Sequence, residues 1–265
     1  MHTDAGAGAP AFDASEIERY SRHILLDGVG GQGQARLRAG RVLIVGAGGL
    51  GSPLLLYLAA AGIGRIGIAD HDALELSNLQ RQIAHRTDRL GWNKALSAAE
   101  TARSINPLPE IVAHPVRVTG ENVDALVGAY EVIADGSDNF ETRFTVADAC
   151  VRQRKTLVSA AVLQFEGQLA TFRPDGPCYR CLHPAAPPPE LTPTCAEAGV
   201  LGAVTGVMGT LQATEVLKEV LGIGETLAGR LLIWDALAAA FRVIRLTRDP
   251  ACPACGANRA PPARF

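Results

Sequence analysis

Val42-Leu43-Ile44-Val45-Gly46-Ala47-Gly48-Gly49-Leu50-Gly51 is the stretch of this sequence that determines its fold. The apolar run Val42–Val45 predicts a strand buried on both faces, and Ser52–Ala61 predicts the helix that follows. The turn between them satisfies G-x-G-x-x-G, in which glycines such as Gly46, Gly48 and Gly49 let the backbone approach a phosphate at a helix N-terminus. We therefore predict a nucleotide site here; the alternative is a purely structural turn.

Asp70 supports the nucleotide interpretation, because it ends the next predicted strand, Ile66–Ala69. An acid at this place can accept hydrogen bonds from ribose hydroxyls. The turn and the aspartate do not identify the nucleotide, and an NAD-dependent enzyme is the default interpretation of such a pair.

Strands and helices alternate through the first half of the chain, which predicts a doubly wound, mostly parallel sheet. After about Thr156 the pattern changes to extended strands, a proline-rich loop and one amphipathic helix, and the last strands are predicted to be antiparallel. The fold class is therefore α/β, Rossmann-like, with a sheet extended by antiparallel strands. We expect one domain at 16–265, with a nucleotide-binding part at about 40–155 and a second part at about 156–256.

The chain has 265 residues and a formal net charge of −2, so no basic excess is available for binding nucleic acid. The uncharged segment between Arg41 and Arg65 is long enough to span a bilayer. Its glycines and Pro53 indicate a buried strand, turn and helix instead, and we expect no membrane association. Residues 1–15 lack the basic start and apolar core of a secretory signal. We interpret them as a disordered leader, followed by a capping box at Ser15–Glu18, and expect a cytoplasmic protein.

A polar cluster after the second strand distinguishes between nucleotides. Asn78, Arg81 and Lys94 would supply hydrogen bonds and positive charge to a triphosphate, whereas a dinucleotide needs no such cationic clamp. Asp138 follows another strand at the same predicted edge, and a carboxylate opposite phosphates suits Mg²⁺. Solvated surface charge is the alternative for each of these residues taken singly.

Two CxxC pairs, Cys178–Cys181 and Cys252–Cys255, predict a structural zinc site, because four thiolates suit tetrahedral Zn²⁺. A dithiol redox pair would explain one CxxC and not two, and disulfides are disfavoured without a secretory signal. Cys150 fits an apolar helical pattern and is predicted to be a core residue. Cys195 lies in a loop-like stretch, where it is either an acyl or sulfur acceptor or an inert thiol.

Several of these motifs together resemble the MoeB/ThiF family, the bacterial relatives of ubiquitin-activating enzymes. The resemblance extends from about Glu16 to Gly256. It is carried by Arg19–Leu26, the glycine turn, Ser77–Gln82, both CxxC pairs, Cys195–Val200 and Val207–Gln212.

The resemblance implies an adenylyltransferase that binds MgATP and activates the C-terminal Gly-Gly carboxylate of a small β-grasp sulfur carrier. A sulfur donor then converts the acyl-adenylate to a thiocarboxylate. The stretch from Trp234 through Pro250 and the stretch Cys195–Val200 are more similar to the MoeB branch, which implies a MoaD-like carrier of molybdopterin biosynthesis. A ThiS-like carrier of thiamine biosynthesis is the alternative. No rhodanese domain follows Cys255, so we expect a separate donor such as a cysteine desulfurase or rhodanese.

The resemblance also implies roles for individual residues. Gly49 would lie near the phosphates, Asp70 would bind ribose, and Asp138 would hold Mg²⁺ with Asn139 beside it. Arg22 resembles an arginine that family dimers insert into the partner's site, which implies a homodimer. Contacts to the nucleotide are implied for Ser77, Asn78, Arg81 and Lys94, the last two neutralising charge in the transition state, and zinc ligation for Cys178, Cys181, Cys252 and Cys255.

Two other classes of function compete with this one. An NAD-dependent oxidoreductase would use the same glycine turn but would leave Arg81 and Lys94 unexplained. A non-catalytic scaffold for a β-grasp partner would be expected to have lost Arg81 or Asp138.

Overall fold

A computed structural model describes residues 12–188 and 195–256, without the side chains of residues 195 and 196. Within these ranges, one sheet contains eight strands: β1 (Arg41–Val45), β2 (Arg65–Ala69), β3 (Glu110–His114), β4 (Val132–Asp135), β5 (Thr156–Leu163), β6 (Glu166–Phe172), β7 (Arg230–Asp235) and β8 (Ala240–Arg245). Their order across the sheet is β3-β2-β1-β4-β5-β6-β7-β8. The first five strands in this order pair in parallel. The pairs β5–β6, β6–β7 and β7–β8 are antiparallel. The predicted fold class is confirmed.

The helices of the described ranges are α1 (Ala14–Ile24), α2 (Gly30–Ala39), α3 (Gly51–Ala61), α4 (Lys94–Ile105), α5 (Val123–Gly128), α6 (Phe140–Gln153), α7 (Tyr179–Leu182), α8 (Cys195–Ala198) and α9 (Gly202–Leu221). They cover both faces of the parallel strands. Side chains alternate along β1, so Val42 and Ile44 join the core beneath α3, α4 and α9, while Leu43 and Val45 join the core beneath α5 and α6. This alternation explains the uninterrupted apolar run in the sequence.

The first helix differs from its prediction. The capping box predicted at Ser15–Glu18 is wrong: Asp13 is the N-cap, its carboxylate accepts from the Glu16 N–H, and the Glu16 side chain accepts from the Asp13 N–H. Both acids satisfy the same spacing rule as Ser15 and Glu18, but an aspartate at the N-cap also complements the helix dipole. Residues 1–11 of the predicted leader lie outside the described residues.

A second difference concerns the segment after β2. The sequence pattern at Ser77–His85 predicts a helix, but the structure forms only a short 3₁₀ helix at Leu76–Asn78, followed by turns. The segment predicted as strand, turn and helix between Arg41 and Arg65 forms β1, the glycine turn and α3. In the part of the chain that the structure describes, no helix has the length and apolar character needed to cross a bilayer.

Candidate functional site

A cleft opens at the carboxyl ends of β1 and β4, where the chain order of the parallel strands reverses. β1 pairs with β2 on one side and with β4 on the other, and ligands of doubly wound sheets bind outside such a switch point. The cleft has an empty volume of about 870 Å³, which includes its open mouth. Of the predicted site residues, it is lined by Gly46, Gly48, Gly49, Asp70, Arg81, Lys94, Asp138 and Asn139.

The floor of the cleft is the glycine turn, and two of its glycines are required by geometry. Gly46 has a φ of +93°, which side chains rarely tolerate. At Gly51, an added Cβ would lie 1.9 Å from the Gly46 carbonyl oxygen. Gly49 packs closely on α9, since its Cβ would lie 3.0 Å from Thr205 Cγ2. The turn therefore brings bare backbone and the start of α3 to the cleft, as phosphate binding requires.

Asp70 is held against this turn. One carboxylate oxygen accepts from the Ala47 N–H at 2.8 Å and the other from the Asp72 N–H at 2.9 Å. Burial raises the pKa of Asp70, although these two N–H groups oppose the shift. Because each oxygen keeps a free lone pair, the carboxylate can still accept hydrogen bonds from ribose hydroxyls.

His85 supports the turn from behind. It is buried, and its Nε2 lies 2.9 Å from the Ala47 carbonyl oxygen while Nδ1 lies 2.9 Å from Ser97 Oγ. A carbonyl only accepts, so Nε2 carries the proton and Nδ1 accepts from the serine hydroxyl. Burial lowers the pKa of His85, which keeps the imidazole neutral. No feature of the sequence predicted this residue.

Two predicted cations lie on one wall of the cleft. Lys94 is buried at the first turn of α4, and its ammonium contacts Asp72 Oδ2 at 2.9 Å. Burial acts to raise the pKa of Asp72, but the Lys94 ammonium and other nearby positive charges lower it overall. Arg81 donates to the Ser77 carbonyl at 3.1 Å. Arg117, which follows β3 and was not singled out from the sequence, lines the same cleft.

Ser77 and Asn78 are not among the residues that line the cleft. Ser77 is exposed, with its hydroxyl 3.4 Å from Glu75 Oε2. Asn78 is buried, and its side-chain oxygen accepts from the Glu75 N–H at 3.1 Å. Asn78 caps the 3₁₀ helix, and the predicted contacts of both residues with a nucleotide stay predictions.

The opposite wall is the turn between β4 and α6. Asp138 and Asn139 are exposed there, and Asn139 is the N-cap of α6, accepting from the Thr142 N–H at 2.9 Å. Asp135, at the end of β4, is buried and accepts from the N–H and hydroxyl of Ser137. Arg143 lines the cleft and donates to the Ser137 carbonyl. Its spacing from Asn139, one helical turn, is the signal by which sequence reasoning could have found it.

Arg22 is exposed on α1 and is not among the residues that line the cleft of its own chain. The role implied for Arg22 in the partner's site stays a prediction.

The four predicted zinc ligands come together although the two pairs are far apart in sequence. Cys178 Sγ lies 3.5 Å from Cys252 Sγ and 3.9 Å from Cys181 Sγ, and Cys181 Sγ lies 3.4 Å from Cys255 Sγ. A tetrahedral zinc with Zn–S bonds of about 2.3 Å separates its sulfurs by roughly 3.8 Å. The backbone N–H of Asp249 also points at Cys181 Sγ. The donor set and its spacing therefore fit zinc and leave no ligand position open.

The other two cysteines lie outside this cluster or its described part. Cys150 is buried in the core beneath α5 and α6, as predicted, and burial raises the pKa of its thiol. Cys195 begins α8, but its side chain lies outside the described residues.

The chain is similar to several known proteins. The ThiF family model matches residues 20–254. The "Sulfur carrier protein adenylyltransferase" of Thermus thermophilus is 49% identical over 247 residues, which cover 91% of each chain. The bovine "Adenylyltransferase and sulfurtransferase MOCS3" is 52% identical over 93% of this chain, but the match covers 54% of that longer relative. The crystal structure of E. coli MccB with ATP shares the fold, with a TM-score of 0.78 and 22% identity over 89% of this chain and 74% of that one.

Proposed function

The chain belongs to the ThiF family, and on that premise we propose that it is an ATP-dependent adenylyltransferase acting on a small sulfur-carrier protein. The observation that carries the proposal is the cleft itself. A bare glycine turn forms its floor, Lys94 and Arg81 line one wall, and Asp138 lines the other. This charge arrangement suits a polyphosphate and would be superfluous for a nicotinamide cofactor.

In the proposed reaction, a terminal carboxylate oxygen of the carrier attacks the α-phosphorus of ATP. A new P–O bond forms, the bond from the α-phosphorus to the bridging oxygen of the β-phosphate breaks, and pyrophosphate leaves. No protein nucleophile is needed, because positioning and charge neutralisation supply the catalysis. In this proposal Lys94 and Arg81, which line the cleft, neutralise phosphate charge, and Asp70, which also lines it, holds the ribose.

Magnesium and zinc have separate roles in the proposal. Mg²⁺, when bound, would neutralise phosphate charge opposite the cations, with Asp138 as its carboxylate ligand and Asn139 beside it. Zinc on the four cysteines would be structural, because all four positions of its tetrahedron are taken by the chain.

An apolar surface beside the cleft supports a docking site for the carrier. Leu163 ends β5, Phe165 lies in the β5–β6 turn, and Leu237 lies in the β7–β8 turn. Leu201 lies next to the β5–β6 turn, because its N–H donates to the Gln164 carbonyl. These four side chains are 39% to 76% exposed. They lie at the same edge of the sheet as the cleft, whose lining includes Val162. A carrier on this surface could extend its Gly-Gly tail into the cleft.

The carrier is proposed to be MoaD-like, as in molybdopterin biosynthesis, with a ThiS-like carrier as the alternative. The bovine relative is named both adenylyltransferase and sulfurtransferase, and its match to this chain covers 54% of its length. We propose that sulfur reaches this chain's product from a separate cysteine desulfurase or rhodanese. A cytoplasmic location, reducing enough for a zinc thiolate site, completes the proposal.

ATP–pyrophosphate exchange with purified MoaD-like and ThiS-like carriers tests the function. We expect exchange that requires Mg²⁺ and an intact Gly-Gly terminus, that favours the MoaD-like carrier, and that disappears in Arg81→Ala. Arg41→Ala, at the opposite end of β1, is the control and should retain exchange. Absence of exchange with every carrier, together with tight binding of NADH, would support the oxidoreductase instead.

The proposed homodimer rests on α1. Arg22 is exposed there, and Ile17, Leu25 and Leu26 expose 50%, 73% and 54% of their surface nearby, an apolar set suited to a second copy. If Arg22 acts in the partner's site, Arg22→Ala and Arg81→Ala are each inactive, but mixing them regenerates about a quarter of the sites in a two-fold dimer. A mixture that stays inactive, although the subunits exchange, would contradict the shared site.

A further inference from the structure

The zinc-binding CxxC pair is connected to the helix that borders the nucleotide cleft. Between Cys178 and Cys181, Arg180 forms a bidentate ion pair with Asp148 on α6, with both N···O distances 2.8 Å. The Arg180 guanidinium also lies 4.3 Å from the centre of the Phe144 ring on the same helix. Both contacts are partly buried, and bidentate pairing fixes geometry as well as distance.

Tyr179, the other residue within this CxxC pair, connects to the cleft itself. Its buried ring packs edge-on against Phe144, the residue after Arg143 on α6, with centroids 5.6 Å apart. Burial raises the pKa of the Tyr179 hydroxyl, and the Arg143 guanidinium opposes that shift. Arg143 in turn donates to the carbonyl of Ser137, the residue before Asp138. A continuous series of contacts therefore runs from the zinc ligands to the turn that carries Asp138.

The turn needs this support. Asp135 holds the N–H and hydroxyl of Ser137 from the sheet side, and Arg143 holds its carbonyl from the helix side. Arg143 is buried, and a buried guanidinium with an unsatisfied N–H group is strongly destabilising, because that group has lost its hydration. A displaced Tyr179 would therefore make Arg143 turn toward water in the cleft and release the Ser137 carbonyl.

We infer that the zinc site, through Tyr179 and Arg143, positions the turn at 135–139 on the wall of the cleft that carries Asp138. Tyr179 and Arg143 act as positioning residues. The catalytic consequence rests on the proposed function, because Asp138 is the magnesium ligand only under that proposal. The mechanical link between zinc and the turn at 135–139 does not depend on it.

Tyr179→Phe removes the hydroxyl and keeps the ring, so zinc content and overall stability should be retained. We expect about a fivefold higher Mg²⁺ concentration for half-maximal exchange, unchanged affinity for metal-free ATP, and faster amide hydrogen exchange at 136–143. The matched control is Tyr57→Phe, which alters an exposed hydroxyl on α3. Asp148→Asn, which weakens the Arg180 pair from α6, should reproduce the change in amide exchange. If both variants behave like Tyr57→Phe, the link is refuted.

Removal of zinc from the wild-type protein by a chelator is the second test, and its readout is amide exchange followed by mass spectrometry. The inference expects faster exchange at 136–143 as well as around the cysteines, with both reversed by added zinc. Faster exchange confined to the segments around the four cysteines overturns it. If the wild-type protein shows no pyrophosphate exchange with any carrier, the proposed function fails, while this measurement still decides the coupling.

Discussion

Lys94→Met separates catalysis from stability. The Lys94 ammonium is buried, and within the described residues its ion-pair partner is Asp72, whose side chain is 52% exposed. A pair with such an exposed partner contributes about 0–1 kcal/mol to folding, and methionine can occupy the volume of the lysine stem. The free energy of unfolding should therefore change by less than about 1 kcal/mol. Under the proposed function Lys94 also donates a hydrogen bond to a charged phosphate. Loss of such a bond would cost about 1.5–3 kcal/mol, which corresponds to a decrease in rate of about 10- to 150-fold.

The assay is carrier-dependent ATP–pyrophosphate exchange, measured beside urea denaturation of the same preparations. Arg41→Met is the control, because Arg41 is an exposed cation paired with Glu131 at the opposite end of β1. Arg41→Met should leave pyrophosphate exchange unchanged and should alter the free energy of unfolding by at most about 1 kcal/mol, because both members of its ion pair are exposed. Destabilisation of Lys94→Met by 3 kcal/mol or so would mean that the lysine is a structural residue. Unchanged exchange would mean that it contacts no phosphate, and either result refutes the reasoning.

Three further predictions follow from the geometry. Gly51→Ala should lower the free energy of unfolding by more than about 2 kcal/mol in urea denaturation, because the added Cβ would clash with the Gly46 carbonyl oxygen. Gly48→Ala is the control and should fold normally, because its Cβ would lie 3.6 Å from the flexible end of the Gln82 side chain. Because burial lowers the pKa of His85, the unfolded chain binds a proton first as the pH falls below about 6.5. Wild type should then lose more stability than His85→Gln between pH 7.5 and pH 5, and equal slopes would contradict the assignment. Cys252→Ser should abolish stoichiometric zinc binding, measured by metal analysis, and lower Tm; retained zinc would exclude Cys252 as a ligand.

The backbone of the site could be predicted from sequence because its signals are local. The G-x-G-x-x-G turn has to lie between a strand and a helix, and strand ends meet at one edge of a parallel sheet, which brought Asp70 and Asp138 to the same cleft. The cysteines could be paired over a long sequence distance because each CxxC already defines half of a tetrahedral site.

The parts that could not be predicted depend on side-chain direction and on distant packing. Asn78 was expected in the cleft, but a single 3₁₀ turn replaces the predicted helix and directs its oxygen to the Glu75 N–H. Arg117 and His85 carry no motif, and each acquires a role only when a loop or helix places it beside the cleft. Arg143 did have the helical spacing, but its importance depends on the carbonyl that it reaches.

The order of synthesis bears on when the proposed zinc site can bind its metal. Ribosomes deliver Cys178 and Cys181 before α9, β7 and β8, whereas Cys252 and Cys255 come after every strand of the described sheet. A nascent chain therefore offers only two of the four predicted zinc ligands while the sheet is being completed, and two thiolates bind zinc far more weakly than four. Stable metal uptake thus marks chains that have already been translated through the last strand, so incomplete polypeptides would compete poorly for cellular zinc.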